Sequence, residues 1–295
     1  MPELRDMELL AALAKNRHFA RAAAECGISQ PAFSARIHNL ELKLGAPIVK
    51  RGNRFMGFTE EGEIALKWAH RMIADARGLR QEIEDARDAL SGKLVIGVVP
   101  TALTLVSKVA AALRDDHPSL IIQVLSHSSV DIAKGLEEFS IDAGVTYLNS
   151  ILPAESTSRH IYDERYECLM PRSIAPDVEN DITWQEAARL PLCLLTGNMR
   201  NRKIINNAFE AADAAPNLVM ETNAFTAALV QVASGTAATI APEVLIDNIG
   251  VADDVVRLKL IEPTVVEPIG IVISKHEPRL PAVDALMSWL SKGKR

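Results

Sequence analysis

One segment limits the architecture more than any other: TEEGEIALKWAHRMIADARGLRQEIEDARDAL, running from Thr59 to Leu90. Its apolar positions Ala65, Ala69, Met72, Ala76, Leu79, Ile83, Ala86 and Leu90 advance by alternating steps of four and three. Residues so spaced share one narrow stripe of an α-helix, and a stripe held over several heptads predicts a coiled-coil seam between two copies. The alternative is a long helix lying on its own domain, but the charged flanks suit a partner helix better. Either way the helix, opened by a Thr59 cap and ending near Ser91-Gly92, divides the chain into a short head and a long body.

The head reads as helix, turn, helix. Leu4 to Leu13 has helical apolar spacing, and Phe19 to Ala24 forms a second helix that stops at Cys26-Gly27. Gly27 suits the left-handed residue of a tight turn. Ser29 is the natural N-cap of a third helix, with Gln30 and Pro31 in its first turn. Ala32, Phe33, Ile37, Leu40 and Leu44 supply its buried stripe and Gly45 its stop. Two β-prone runs, Pro47 to Arg51 and Arg54 to Phe58, then flank a Gly52-Asn53 turn and predict a hairpin.

In the body the texture changes to α/β. Apolar runs such as KLVIGVV, LIIQVLS, PLCLLT and PIGIVISK alternate with helical stretches, as parallel strands with crossover helices do. A second α/β unit starts near Arg165, and the last strand and helix follow it, so they are free to return to the first unit and make two lobes joined by crossing strands.

Charge separates the two parts as well. Residues 1–58 hold nine Lys/Arg against five Asp/Glu, which leaves 23 against 33 in the rest of a 295-residue chain whose net charge is −6. A small basic head on an acidic body is the pattern of a DNA reader with a regulatory body. The charged N-terminus and the lack of a long apolar run predict a cytoplasmic protein with no membrane contact. Cys26, Cys168 and Cys193 form no CxxC, so neither a disulfide framework nor a zinc site is expected. The seven histidines are scattered and no HExxH or GxSxG occurs, so the chain carries no catalytic or metal constellation and reads as a non-enzyme.

Arg21-Ala22-Ala23, Ser29-Gln30-Pro31-Ala32, Ser34, Ile37, Leu40-Glu41, Leu44-Gly45, Pro47-Ile48, Arg51 and Thr59-Glu60-Glu61-Gly62 resemble the N-terminal signature of LysR-type transcriptional regulators. The resemblance implies an α/β chain with a winged helix-turn-helix at 1–58, a linker dimerisation helix at 59–91 and a periplasmic-binding-protein-like effector domain at 92–295. Lobe I would comprise about 92–162 and 268–295, and lobe II about 163–267. It further implies double-stranded DNA with an inverted repeat as partner, a homodimer through the linker helix, a homotetramer, contact with RNA polymerase, and a small-molecule effector without other cofactor. On this reading Ser29, Gln30, Pro31, Ala32, Ser34 and Arg36 face the major groove or its phosphates, and Lys50, Arg51 and Arg54 lie on the wing. One departure is that relatives place Ser-Arg directly, whereas here Ala35 separates Ser34 from Arg36, turning the arginine by about 100°.

Candidate effector positions are the corners where strands end and helices begin, because unpaired backbone N–H groups there favour anions. These are Thr101; Ser128 and Ser129; Thr196 and Asn198; and Thr222 and Asn223, with Arg202 as a balancing cation. Corners rich in hydroxyls and amides but poor in aromatics suit a small, anionic organic acid. IDAGVTYLNS resembles regulators found beside formate dehydrogenase genes, which implies formate or another one-carbon acid. A redox-responsive regulator of the same family is one alternative, although the loop Gly197-Asn198-Met199-Arg200 carries no cysteine. A solute-binding protein is the other, and it leaves the first ninety residues unexplained.

Overall fold

The computed structural model describes residues 1–50, 55–86, 90–177 and 180–292. The head consists of α1 (Leu4–Asn16), α2 (Phe19–Glu25) and α3 (Gln30–Leu44). Gly27, at φ +70°, makes the left-handed turn between α2 and α3, and Gly45, at φ +73°, ends α3. Ser29 Oγ accepts the Ala32 N–H at 3.4 Å, capping α3 as its position predicts. Leu9, Leu10, Leu13, Phe33 and Leu40 are fully buried, so the three helices close on one core. Beyond α3, Val49 pairs antiparallel with Phe58, and the Lys50 N–H donates to Gly57 O at 3.0 Å. This is the base of the expected hairpin; its Gly52-Asn53 tip, with Arg51 and Arg54, lies outside the described residues.

The long helix α4 (Glu60–Asp85) starts where Thr59 Oγ1 accepts the Gly62 N–H at 3.0 Å. Its seam requires correction. Ala69 is fully buried and Ala65 half-buried against the helices of the head, Ala86 is only the C-cap residue, and Leu90 lies beyond the helix in the core of the body. The physical reason is that so small a head closes its core only by borrowing the first turns of α4. The apolar side chains left exposed are Ile64, Trp68, Met72, Leu79 and Ile83. In its first half the open face is therefore rotated by one residue, from Ala65 and Ala69 to Ile64 and Trp68, and it regains the expected register at Met72, Leu79 and Ile83, with Ala76 half-buried beside them.

The body begins with β1 (Gly92–Val98), α5 (Leu103–Asp116), β2 (Leu120–Ser126), α6 (Ser129–Glu137) and β3 (Ala143–Tyr147). β1 pairs parallel with both β2 and β3, as alternating strands and helices require. Then comes β4 (Ser156–Pro171), followed by β5 (Asp181–Thr183), α7 (Trp184–Ala187), β6 (Leu192–Leu195), α8 (Arg200–Ala211), β7 (Leu218–Thr222), α9 (Phe225–Ala233), β8 (Thr239–Pro242), α10 (Glu243–Ile249) and β9 (Val255–Ile261). The chain closes with β10 (Val266–Ser274) and α11 (Pro281–Lys292).

β4 is the axis of the body. Its residues 156–165 pair with β10, which in turn pairs with β3, whereas its residues 166–171 pair with β8 and β9. One strand thus serves both lobes, with the change of partner at Arg165 and Tyr166. β10 returns to the first lobe as expected, so the chain crosses between the lobes twice, along β4 and again between β9 and β10. The first half of β4 and all of α10 are elements the sequence pattern did not foreshadow.

The linker helix is tied to lobe I by charged contacts. Arg77 Nη2 lies 3.3 Å from Asp142 Oδ1, and His276 Nε2 lies 2.8 Å from Asp75 Oδ1. The other oxygen of Asp142 accepts the Val95 N–H at 2.8 Å, so a buried carboxyl joins α4 to β1. Among the described residues no helix is long and apolar enough to cross a membrane, and no group of three His, Cys, Asp or Glu could hold a metal ion.

Candidate DNA interface and interlobe cleft

α3 presents two faces. Phe33, Ile37 and Leu40 are buried in the head, while Gln30, Pro31 and Ala32 at its N-terminal turn are exposed and Ser34 is half-buried beside them. A helix held by its apolar face with its N-terminus free is the geometry with which a recognition helix enters the major groove. Ser29 is occupied as the cap. Arg36 turns back to α1, its Nη1 3.7 Å from Asp6 Oδ1. Asp6 also takes a hydrogen bond from Lys43 Nζ at 2.7 Å. Burial alone would raise the Asp6 carboxyl, but the bonds from Lys43 and the Glu3 N–H hold it below the usual carboxylate range. Lys50 is exposed at the base of the wing.

The corners of lobe I gather at the C-terminal ends of β1, β2 and β3. Backbone bonds join them, with the His127 N–H donating to Val98 O at 2.9 Å and the Val99 N–H to Val145 O at 3.0 Å. Ser128 Oγ caps α6, Ser129 Oγ accepts from Thr146 Oγ1 at 2.9 Å, and Thr101 is fully buried, 3.3 Å from the Tyr147 hydroxyl. In lobe II the Thr196 N–H donates to Thr222 O at 2.9 Å, so β6 and β7 bring Thr196, Asn198, Thr222 and Asn223 to one edge. The lobes meet where Asn248 Nδ2 donates to Thr104 Oγ1 at 3.3 Å and where Arg200 faces Glu267 across 3.8 Å.

Next to Thr101, through the Tyr147 hydroxyl, lies a network centred on Glu164, a fully buried residue of β4. The Tyr147 and Tyr166 hydroxyls donate to its Oε1 at 2.9 and 2.6 Å, and the Tyr162 hydroxyl to its Oε2 at 3.3 Å. These are all three tyrosines of the chain. Desolvation raises the Glu164 carboxyl above the usual carboxylate range even though the hydroxyls favour its charged form. Burial raises all three tyrosines, reinforced by the facing carboxylate for Tyr147 and Tyr162 and by Tyr147 and then the carboxylate for Tyr166, so they remain proton donors.

The family model for the LysR substrate binding domain matches residues 87–295, and that for the bacterial regulatory helix-turn-helix protein, lysR family, matches residues 4–63. The chain belongs to the LysR family of transcriptional regulators. Among its curated relatives, a probable RuBisCO transcriptional regulator of Trieres chinensis is 27% identical over 278 residues, spanning 91% of this chain and 87% of that one. The DNA-binding transcriptional dual regulator OxyR of Escherichia coli is 26% identical over 287 residues, spanning 93% and 90%. The fold is shared with a full-length OxyR variant from Pseudomonas aeruginosa (TM-score 0.76, 22% identity, 98% of this chain and 95% of that one). It is also shared with full-length CbnR complexed with its target DNA (TM-score 0.68, 20% identity, 99% of both chains). These relatives and families are regulators of transcription, not enzymes.

In this LysR regulator one expected effector residue is overturned. Arg202 is buried inside lobe II, where its Nη1 donates to Leu195 O at 2.6 Å and to Glu221 Oε1 at 2.7 Å, and its Nε to Asn206 Oδ1 at 2.8 Å. These bonds tie α8 to β6 and β7 and give the arginine a place in the packing of lobe II. Its neighbour Arg200 faces the cleft instead. Tyr162, Glu164 and Tyr166 escaped the sequence reading; their alternation, Tyr162-x-Glu164-x-Tyr166, is the signal that could have placed them on one face of a strand. The third tyrosine comes from β3 and had no local signal.

Proposed function

We propose that this LysR regulator reads an inverted repeat of double-stranded DNA as a homodimer paired through α4, associates further into a homotetramer, and alters transcription by RNA polymerase when a small effector enters the interlobe cleft. The exposed first turn of α3 carries the DNA half: Gln30 offers an amide suited to adenine, with Pro31 and Ala32 as apolar contacts for thymine methyls. Ser34, Lys50, Arg51 and Arg54 take phosphate roles, and Arg36, paired with Asp6, a peripheral one. The effector carries an anionic group, as a small organic acid such as formate does; the N-terminus of α8, which has no side-chain cap, and Arg200 support that reading.

Similarity to relatives named as hydrogen peroxide-inducible genes activators favours a redox-responsive reading as the second choice. Against it, Cys168 and Cys193 are fully buried, and burial pushes the Cys168 thiol up to about 12, far from the thiolate that peroxide chemistry needs. The test is an electrophoretic shift with the DNA upstream of the chain's own gene at rising salt. Binding should weaken steeply with salt and exceed binding to unrelated DNA; salt-indifferent or sequence-blind binding refutes the DNA half.

A further inference from the structure

The two banks of the interlobe cleft are chemically opposite. On the β bank, Glu267 of β10 lies directly across from Glu164 of β4 in the antiparallel register, so both side chains leave the same face of the sheet. Two carboxylates so placed repel whenever both are ionised. The hydrogen bonds given to Glu164 come from neutral tyrosine hydroxyls. Glu267 Oε2 is shut off from solvent without a hydrogen bond, and Arg200 Nη2 stops 3.8 Å short of it, beyond hydrogen-bonding distance. Arg200 balances the charge of Glu267 from that distance but gives it no hydrogen bond, so the β bank is short of a donor in direct contact.

The helical bank calls for the reverse. α8 opens without a side-chain cap, Arg200 Nε is buried and unpartnered, and Asn201, 3% exposed in the first turn, has neither its amide oxygen nor its amide nitrogen bonded. Buried polar atoms are seldom left single, and here four are, on the neighbours Arg200 and Asn201 of α8 and on Glu267, which Arg200 faces across the lobes. A plain carboxylate such as formate would satisfy the donors of α8 and leave Glu267 without one, so among small organic acids the cleft favours one that also carries a cation. A plain amine would satisfy the glutamates and meet Arg200.

We infer that the effector is a zwitterion of the α-amino-acid class, its carboxylate held by Arg200, Asn201 and the α8 N-terminus and its ammonium group by Glu267, with Glu164 behind it. This rests on the reading of the cleft as the effector site and specifies what occupies it. Glu267 is then the residue that separates an amino acid from the acid lacking its amino group. Glu164, saturated by tyrosine hydroxyls, is a positioning residue behind Glu267.

The experiment is a thermal-shift survey of the full chain with the common L-α-amino acids. Each hit is followed by calorimetric titration beside its des-amino carboxylate and its decarboxylated amine. The expected result is one or a few amino acids whose affinity falls at least about tenfold when either charged group is removed. Glu267→Gln should abolish that preference for the amino group, while Glu267→Asp, which keeps the charge, should retain it; unchanged melting temperatures show that both variants fold. An amino acid bound no better than its des-amino acid overturns the inference, and so does a survey with no hit. Electrophoretic shift in parallel keeps the two readings apart. Sequence-preferring DNA binding with no amino-acid effect sinks the ligand class alone, whereas loss of that preference sinks the regulator reading.

Discussion

Leu79 is the most informative position on α4, because it is 62% exposed in the single chain and lies on the face left open by Met72 and Ile83. Leu79→Ala removes three carbons, worth about 2.4 kcal/mol where they are fully buried. Scaling by the 62% that a partner has still to cover gives about 1.5 kcal/mol per copy, and about 3 kcal/mol for a two-fold seam in which both copies change. At 1.4 kcal/mol per tenfold, the dimer Kd should rise by about 100-fold. The melting temperature of the protomer should hold, since little of the side chain is packed within one chain. Sedimentation velocity over a dilution series measures the Kd, and electrophoretic shift at the same concentrations should show half-site binding replacing full-site binding. A Kd unchanged within about threefold would refute pairing along this face. Leu66→Ala is the counterpart: Leu66 is buried in the head, and its loss should lower stability with little direct effect on pairing.

Three further outcomes follow from the same contacts. Arg202→Met should destabilise the chain by about 1.5–3 kcal/mol in urea unfolding, through the carbonyl and carboxylate it leaves unpaired, without changing effector affinity. A Cβ on Gly62 would meet Ile48 O at 2.0 Å, so Gly62→Ala should cost about 1–3 kcal/mol and weaken DNA binding as the wing shifts against α4; an unchanged melting curve counts against that packing. Because Glu164 is raised in the folded chain, its favourable contribution is complete below the ordinary glutamate value and is lost as pH rises through the folded value. Urea titrations across that range should therefore show a flatter pH slope in Glu164→Gln, with part of the slope remaining from Asp142, which burial also raises.

Much of the head could be read from local chemistry, because Gly27, Ser29 and Gly45 act within a few residues of themselves. The α4 stripe was legible as a helix but not as a seam, since periodicity marks an apolar side without saying whether the head or a second chain covers it. Ala69 went to the head and Leu79 did not. The first half of β4, STSRHIYDER, escaped for a similar reason: it is largely polar and partly exposed, and its place in the sheet comes from pairing with β10, which arrives from the far end of the chain. At the cleft, hydroxyl-rich corners were visible as residue types, but Arg202 and Arg200 differ only in their neighbours. Three-dimensional packing locked the first away in lobe II and left the second facing Glu267.

The return of β10 to the first lobe has a consequence for how the protein is made. The head and α4 are complete once Asp85 has been synthesised, and their core draws on nothing later than Ile73. Lobe I cannot close its sheet until Val266 to Ser274 have been added, because β10 fills the gap between β3 and β4. With pairing along α4 as proposed, neighbouring nascent chains on one messenger, growing from the N-terminus, can match these helices before either sensor is finished. Pairing would then favour copies from the same transcript, and a mutant subunit made from another allele would enter mixed dimers less often than random assortment predicts.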